Sequence, residues 1–217
     1  MALIIESRAV EPFYKNGFVV ASGETRDAIL IDPGDEVDDL LRIVESQRLT
    51  VRHILLTHAH MDHVSGVARA KRATAAPIGV HRDDVFLYEA AVEQGRMFGY
   101  ALEQPPPPDF DLGAGGPFAV GDCLVHVHHT PGHSPGGVCL RIAGPGVTET
   151  HLFVGDTLFA GSIGRTDLPG GDYDTLMRSI RGVLLGFGDA AIVHAGHGPD
   201  TTIGRERATN PFLNSGG

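Results

Sequence analysis

Short apolar runs alternate with amphipathic stretches along the first third of the chain. Phe18 to Ala21 and Ala28 to Ile31 are two such runs, the second stopped by Asp32-Pro33-Gly34, and both predict strands ended by turn chemistry. From Asp35 to Gln47 apolar residues fall at 37, 40, 41 and 44, the spacing of a helix with one buried face. Acids crowd the first turn of that helix, where its dipole favours negative charge. Arg52 to Thr57 (RHILLT) predicts a second buried strand that runs straight into His58. Residues 83 to 103 read as one or two helices, and Pro105 to Pro108 as a stiff extended loop.

The second half returns to strands at Phe118 to Val120, Cys123 to His129, Gly137 to Ile142 and His151 to Val154. Asp174 to Leu185 predicts a helix, Ala191 to His194 a strand, and Gly204 to Thr209 a short last helix. No repeat and no linker-like composition divides residues 1–217, so one domain is expected. Interior strands with interspersed helices give an α/β fold with helices outside. The order of elements favours two sheets, though one would also satisfy it.

The densest chemistry follows the strand at 52–57. His58-Ala59-His60-Met61-Asp62-His63 offers four possible metal ligands within six residues. In an extended backbone side chains two apart point the same way, so His58 and His60 can reach one cation together. A turn into a helix near His63 would swing Asp62 and His63 toward a second cation. Three imidazoles and a carboxylate suit zinc, iron or manganese. A polar turn with solvated histidines is the plain alternative, and four candidates at the mouth of a buried strand weigh against it. Further candidates sit at predicted strand ends: His133 in Thr130-Pro131-Gly132-His133-Ser134-Pro135-Gly136-Gly137, Asp156 after His151 to Gly155, and His197 in Gly196-His197-Gly198-Pro199.

Composition narrows the setting. Hydrophobic residues are 42% and charged residues 20%, which excludes a disordered chain. A formal charge of −10 disfavours a nucleic-acid binder that tracks phosphates. No stretch approaches the roughly 20 apolar residues of a membrane helix. The N-terminus lacks a basic region and meets Glu6 and Arg8 early, so no secretory signal is expected. Cys123 and Cys139 are too few for a disulfide scaffold and fit a reducing cytoplasm. The unusual count is 12 histidines, the commonest metal-ligand residue.

The segments HAHMDH, TPGHSPGG, GDTLF and AGHGP, in this order and preceded by Ile31-Asp32-Pro33-Gly34, resemble the metallo-β-lactamase superfamily over residues 18 to 213. That resemblance implies an αβ/βα sandwich of two mixed sheets around a dinuclear site. It implies one metal on His58, His60 and His133, a second on Asp62, His63 and His197, with Asp156 bridging and Asp32 orienting a ligand imidazole. Zinc would come first, with iron or manganese as alternatives. Residues 155–172 and 196–213 look like the short branch of the glyoxalase II group, the hydroxyacylglutathione hydrolases. β-Lactamases of the commonest class carry Cys where this chain has Asp156.

The activity so implied is hydrolysis of a small acyl thioester such as S-D-lactoylglutathione. Two ions sharing a water would lower its pKa and supply a hydroxide nucleophile, with Asp62 and Asp156 holding the ions and accepting hydrogen bonds from that water. A thiolate needs little proton help to leave, since thiols have pKa near 8.5. Arg165, Arg205 and Arg207 are the candidate groups for the thiol's carboxylates, with structural salt bridges as an equal alternative. Tyr173 either lines the pocket or packs at a helix start. Two features depart from the larger glyoxalase II enzymes. The chain ends at Gly217, too soon after His197 for their C-terminal helical domain, and Gly198-Pro199-Asp200 stands where they carry a tyrosine.

Two other activities compete. A mononuclear-iron persulfide dioxygenase of the same fold would use His58, His133 and Asp156 alone. A non-catalytic metal-binding module would more often close its cage with cysteine. The remaining histidines have plainer readings. Val125 and Val127 alternate with His126 and His128, which predicts valines inward and imidazoles in solvent. His53, His81, His151 and His194 read as surface or satisfied core groups, and Gly161 to Gly171 as a loop at the site.

Overall fold

The computed structural model describes residues 3–114 and 117–214. Its first sheet holds six strands in chain order: β1 (Leu3–Arg8), β2 (Gly17–Ser22), β3 (Asp27–Ile31), β4 (Thr50–Leu55), β5 (Ile78–Val80) and β6 (Phe110–Asp111). β1, β2 and β3 pair antiparallel, and β3 to β6 pair parallel. The second sheet contains β7 (Phe118–Val120), β8 (Cys123–His129), β9 (Val138–Ala143) and β10 (His151–Gly155). A small hairpin follows, β11 (Leu158–Phe159) with β12 (Ser162–Ile163), and then β13 (Ile192–Ala195) and β14 (Thr201–Thr202). The order in the second sheet is β14-β13-β10-β9-β8-β7, and only β10 with β13 is parallel. Both sheets are mixed.

Alternation along the strands builds three apolar layers. On β2 and β3, Val19 and Leu30 face one way while Phe18, Val20, Ile29 and Ile31 face the other. The first set packs under α1 (Val37–Ser46), α2 (Met61–Val64), α3 (Val67–Thr74), α4 (Val85–Glu89) and α5 (Ala91–Met97). The second set meets Val125, Leu140, Ile142 and Phe153 of the other sheet. Leu152, Val154 and Val193, on that sheet's far side, pack under α6 (Tyr173–Gly182) and α7 (Ile203–Thr209), and α8 (Pro211–Asn214) follows. The result is helices, sheet, sheet, helices. Leu40 of α1 is wholly buried in this stack, where truncation to alanine costs about 2–5 kcal/mol.

Several expected boundaries move. The strand predicted over 52–57 is β4 at Thr50–Leu55; Leu56 and Thr57 lie beyond it and begin the ligand segment. Residues 83–103 resolve into α4 and α5, joined at Ala90. His126 and His128 point away from the layer between the sheets, as expected, but are only partly in solvent. Both are half-buried on the outer face of β8, and the His128 ring meets Phe187 edge-on at 5.0 Å. A ring there covers apolar surface that a fully solvated imidazole would leave open. Cys123 and Cys139 are buried free thiols.

Candidate metal centre

β3 and β4 are parallel neighbours in one sheet, β10 and β13 in the other, so their C-terminal ends gather at one rim of the sandwich. Asp32 follows β3, His58 and His60 follow β4, and Asp156 and His197 follow β10 and β13. Asp62 and His63 lie on α2, and His133 on the loop between β8 and β9.

The seven expected ligands form two adjoining groups. Three imidazole nitrogens converge: His60 Nδ1 lies 2.8 Å from His133 Nε2, which lies 3.2 Å from His58 Nε2. Beside them, His197 Nε2 lies 3.2 Å from Asp62 Oδ2, and His63 Nε2 lies 3.7 Å from the same oxygen. Asp156 stands between the groups, its Oδ2 3.6 Å from both His133 Nε2 and His197 Nε2 and its Oδ1 3.4 Å from His63 Nε2. His58, His60 and His133 on one side, and Asp62, His63 and His197 on the other, each bring their ligand atoms within 4.8 Å of one another.

Four of the rings are held from behind by an oxygen, which turns Nε2 toward the site. His63 Nδ1 donates to Asp32 Oδ2 at 3.0 Å, His133 Nδ1 to the Arg165 carbonyl at 2.8 Å, and His197 Nδ1 to the Phe13 carbonyl at 3.1 Å. Thr57 Oγ1 gives its proton to Asp32 Oδ2 at 2.5 Å and faces His58 Nδ1 at 3.3 Å. Asp32 therefore spends its lone pairs on Thr57 and His63, with the Thr57 amide on its other oxygen at 2.6 Å. One of its oxygens lies within 4.8 Å of a ring nitrogen of His58 and of His63. Its φ of +48°, uncommon outside glycine, is held by these bonds and by Lys15, whose ammonium donates to the Asp32 carbonyl.

The donor set fits cations. Burial and the neighbouring His133 hold His60 down to about 4, and burial with His63 holds His58 well below its ordinary value, so both present lone pairs. Burial would also lower His63, yet Asp62, Asp156 and Asp32 push it up to about 10. The carboxylates thus draw a positive charge into the centre. Asp62 itself, against burial, is lowered by His63 and His197. His63 Nε2 and Asp156 Oδ1 are buried without a hydrogen-bond partner, which a cation between the groups would relieve. A Cβ at Gly196 would collide with Asp156 Oδ1 and come within 2.9 Å of His63 Cε1, so the backbone there must be bare.

Asp84, absent from the sequence reading, ties the centre together. Wholly buried, it accepts from the Ala59 amide at 3.1 Å, the Ser134 hydroxyl at 2.8 Å and the Gly136 amide at 2.6 Å. It therefore clips the loop bearing His58 and His60 to the loop bearing His133. In sequence it is one acid among several near a helix start, and no signal distinguishes it. Lys15, 2% exposed, pairs with Glu36 at 2.6 Å beneath the Asp32 turn.

A cavity of about 230 Å³ opens over the centre, lined by Phe13, Met61, Gln94, Phe98, Arg165 and Leu168 around the ligand residues. Arg165 reaches it, but its guanidinium is clamped by Asp167 through two bonds of 2.7 Å. Arg205 and Arg207 do not line it. α7 carries both away, and Arg207 bonds Asp189 and the Leu185 carbonyl. Tyr173 is half-exposed at the start of α6 and does not line it either. His81, Asp83 and His129 form another close trio, yet the two rings stack at 4.3 Å and 10°, so their in-plane lone pairs cannot meet on one ion. His151 and His194 satisfy each other at 3.1 Å, and His194 bonds Asp200 at 2.9 Å.

Known proteins share this fold. The family model of the metallo-beta-lactamase superfamily matches residues 10–197. The hydroxyacylglutathione hydrolase GloC of Haemophilus influenzae is 39% identical, across 97% of this chain and 98% of its own. A di-iron-bound crystal structure of TTHA1623 superposes with a TM-score of 0.84 at 42% identity, covering 96% of this chain and all of that one. The crystal structure of the BLEG-1 B3 metallo-beta-lactamase gives 0.86 at 34%, covering 97% and 100%. The gathered strand ends, the paired ligand groups and these likenesses agree: the chain belongs to the metallo-β-lactamase superfamily.

Proposed function

We propose that the protein is a metal-dependent hydrolase of acyl thioesters such as S-D-lactoylglutathione. His58, His60 and His133 would hold one divalent ion, Asp62, His63 and His197 a second, and Asp156 would touch both. Bound there, the pair supplies Lewis acidity that lowers the pKa of a shared water and polarises the substrate carbonyl. Zinc suits the imidazole-rich set, and iron or manganese also fit it. Asp62 and Asp156 carry the carboxylate oxygens that can accept a hydrogen bond from the attacking water and aim its lone pair. Asp32, through His63 Nδ1, keeps that ring turned so that Nε2 faces inward.

The observation that supports a thioester is what the cavity lacks. Apart from the ligand candidates, Arg165 is the one titratable group lining it among the described residues, and a guanidinium does not give up its proton near neutrality. An amine leaving group would have to draw its proton from metal-held water or a ligand carboxylate, whereas a thiolate departs unaided. The 39% likeness to a hydroxyacylglutathione hydrolase points the same way. A reducing compartment is the setting we propose, from the two free cysteines. The test is thiol release from S-D-lactoylglutathione by purified protein, before and after chelation and with zinc, manganese or iron restored. Metal-restored release is expected; none with any metal overturns the reading.

A further inference from the structure

We infer that the site selects its substrate by an uncharged, apolar acyl group laid against Phe13, Phe98 and Leu168; this rests on the thioesterase reading above. Besides the metal-ligand candidates the cavity is lined by Phe13, Met61, Phe98 and Leu168, with Gln94 and Arg165 the two polar side chains among them. Phe98 is 64% exposed at the end of α5, a large ring left in water at the mouth of a cavity. Phe13 is pinned there, because its carbonyl accepts the His197 Nδ1 proton at 3.1 Å while its ring packs on Tyr100 at 5.0 Å. One cation lines the cavity among the described residues, Arg165, and Asp167 holds its Nε and Nη2 edge. A carboxylate entering here would share Arg165 with Asp167. An alkyl or aryl group would instead cover apolar surface at no electrostatic cost.

The volume bounds the group. About 230 Å³, shared with the thioester carbonyl and sulfur, accommodates a chain of a few carbons or one ring. The test uses the metal-loaded full chain and S-acetyl, S-butanoyl and S-hexanoyl esters of N-acetylcysteamine, an uncharged thiol, so that only the acyl group varies. We expect kcat/KM to rise on the order of fourfold per methylene until the cavity is filled, tenfold or more across the series. Phe98→Ala, on an exposed side chain, is expected to flatten that rise. Hydrolysis that is flat or falls with chain length in the wild type overturns this inference and leaves the thioesterase reading standing. No cleavage of any member while S-D-lactoylglutathione is cleaved overturns this inference alone, and no cleavage of either overturns both. A readout without turnover accompanies it. The S-hexyl thioether of the same thiol should bind at least about tenfold tighter than the S-methyl thioether by calorimetry, and equal binding overturns the apolar wall.

Discussion

Asp84 accepts the Ser134 hydroxyl at 2.8 Å, and with that bond a wholly buried carboxylate fixes the distance between two loops that carry three imidazoles. All three of its partners are donors, so an amide in its place would set its own N–H₂ against one of them. Asp84→Asn is expected to cost about 1–3 kcal/mol of stability and to weaken the metal held by His58, His60 and His133 by roughly 10–100-fold. Cobalt substitution reads this directly, since the d–d spectrum of that site changes while the other ion's does not. An unaltered spectrum and affinity would remove Asp84 from any positioning role.

Lys15 and Glu36 form a buried ion pair that braces the Asp32 turn from below. Removing one charge strands the other in the interior. Lys15→Met should lower stability by about 3–5 kcal/mol, and the double variant Lys15→Met, Glu36→Met should recover part of that loss. Urea unfolding of the zinc-loaded proteins measures both. Full additivity of the two single changes would contradict the coupling.

Stripping the metals should soften the whole molecule, because the centre joins the ends of both sheets. At 1,000 times the dissociation constant a ligand adds about 4 kcal/mol, and near 200 residues each kcal/mol moves Tm by about 2–4 °C. Calorimetry with and without chelator is therefore expected to differ by about 8–16 °C. Coincident transitions would mean that the centre binds no metal tightly.

Gly196 offers a change that adds one methyl group and deletes nothing. Its Cβ would press on Asp156 Oδ1 and His63. Gly196→Ala should drop bound metal from two equivalents toward one and reduce turnover at least tenfold. His58→Ala and His197→Ala, each removing a ligand from a different group, should also leave about one equivalent. Two equivalents retained in all three, counted by elemental analysis, would undo the paired grouping.

Much of this centre was legible before any coordinates, for a physical reason. His58, His60, Asp62 and His63 are local in sequence, and His133, Asp156 and His197 sit where strands end, so spacing and turn residues announce them. The two-sheet sandwich followed from the family resemblance, since strand order alone fitted one sheet too. Asp84 was invisible because its meaning lies in donors at 59, 134 and 136, brought near only by the fold. Arg205 and Arg207 misled because sequence distance from His197 says nothing of the direction in which α7 leaves the site. β6, β11, β12 and β14 have two residues each, too few to show a period, and the six-residue β1 opens on a continuous run, Leu3-Ile4-Ile5, that does not alternate. His126 and His128 obeyed the alternation, but the His128 ring met Phe187.

The central claim is a two-ion centre that cleaves a thioester, and stoichiometric titration tests it most directly. Chelated protein is mixed with S-D-lactoylglutathione, and thiol release is followed as zinc is added in fractions of an equivalent. Release should be absent at the start, climb with added metal and level off at two equivalents per chain. Release that survives chelation, or that is still absent at two equivalents, would contradict the account.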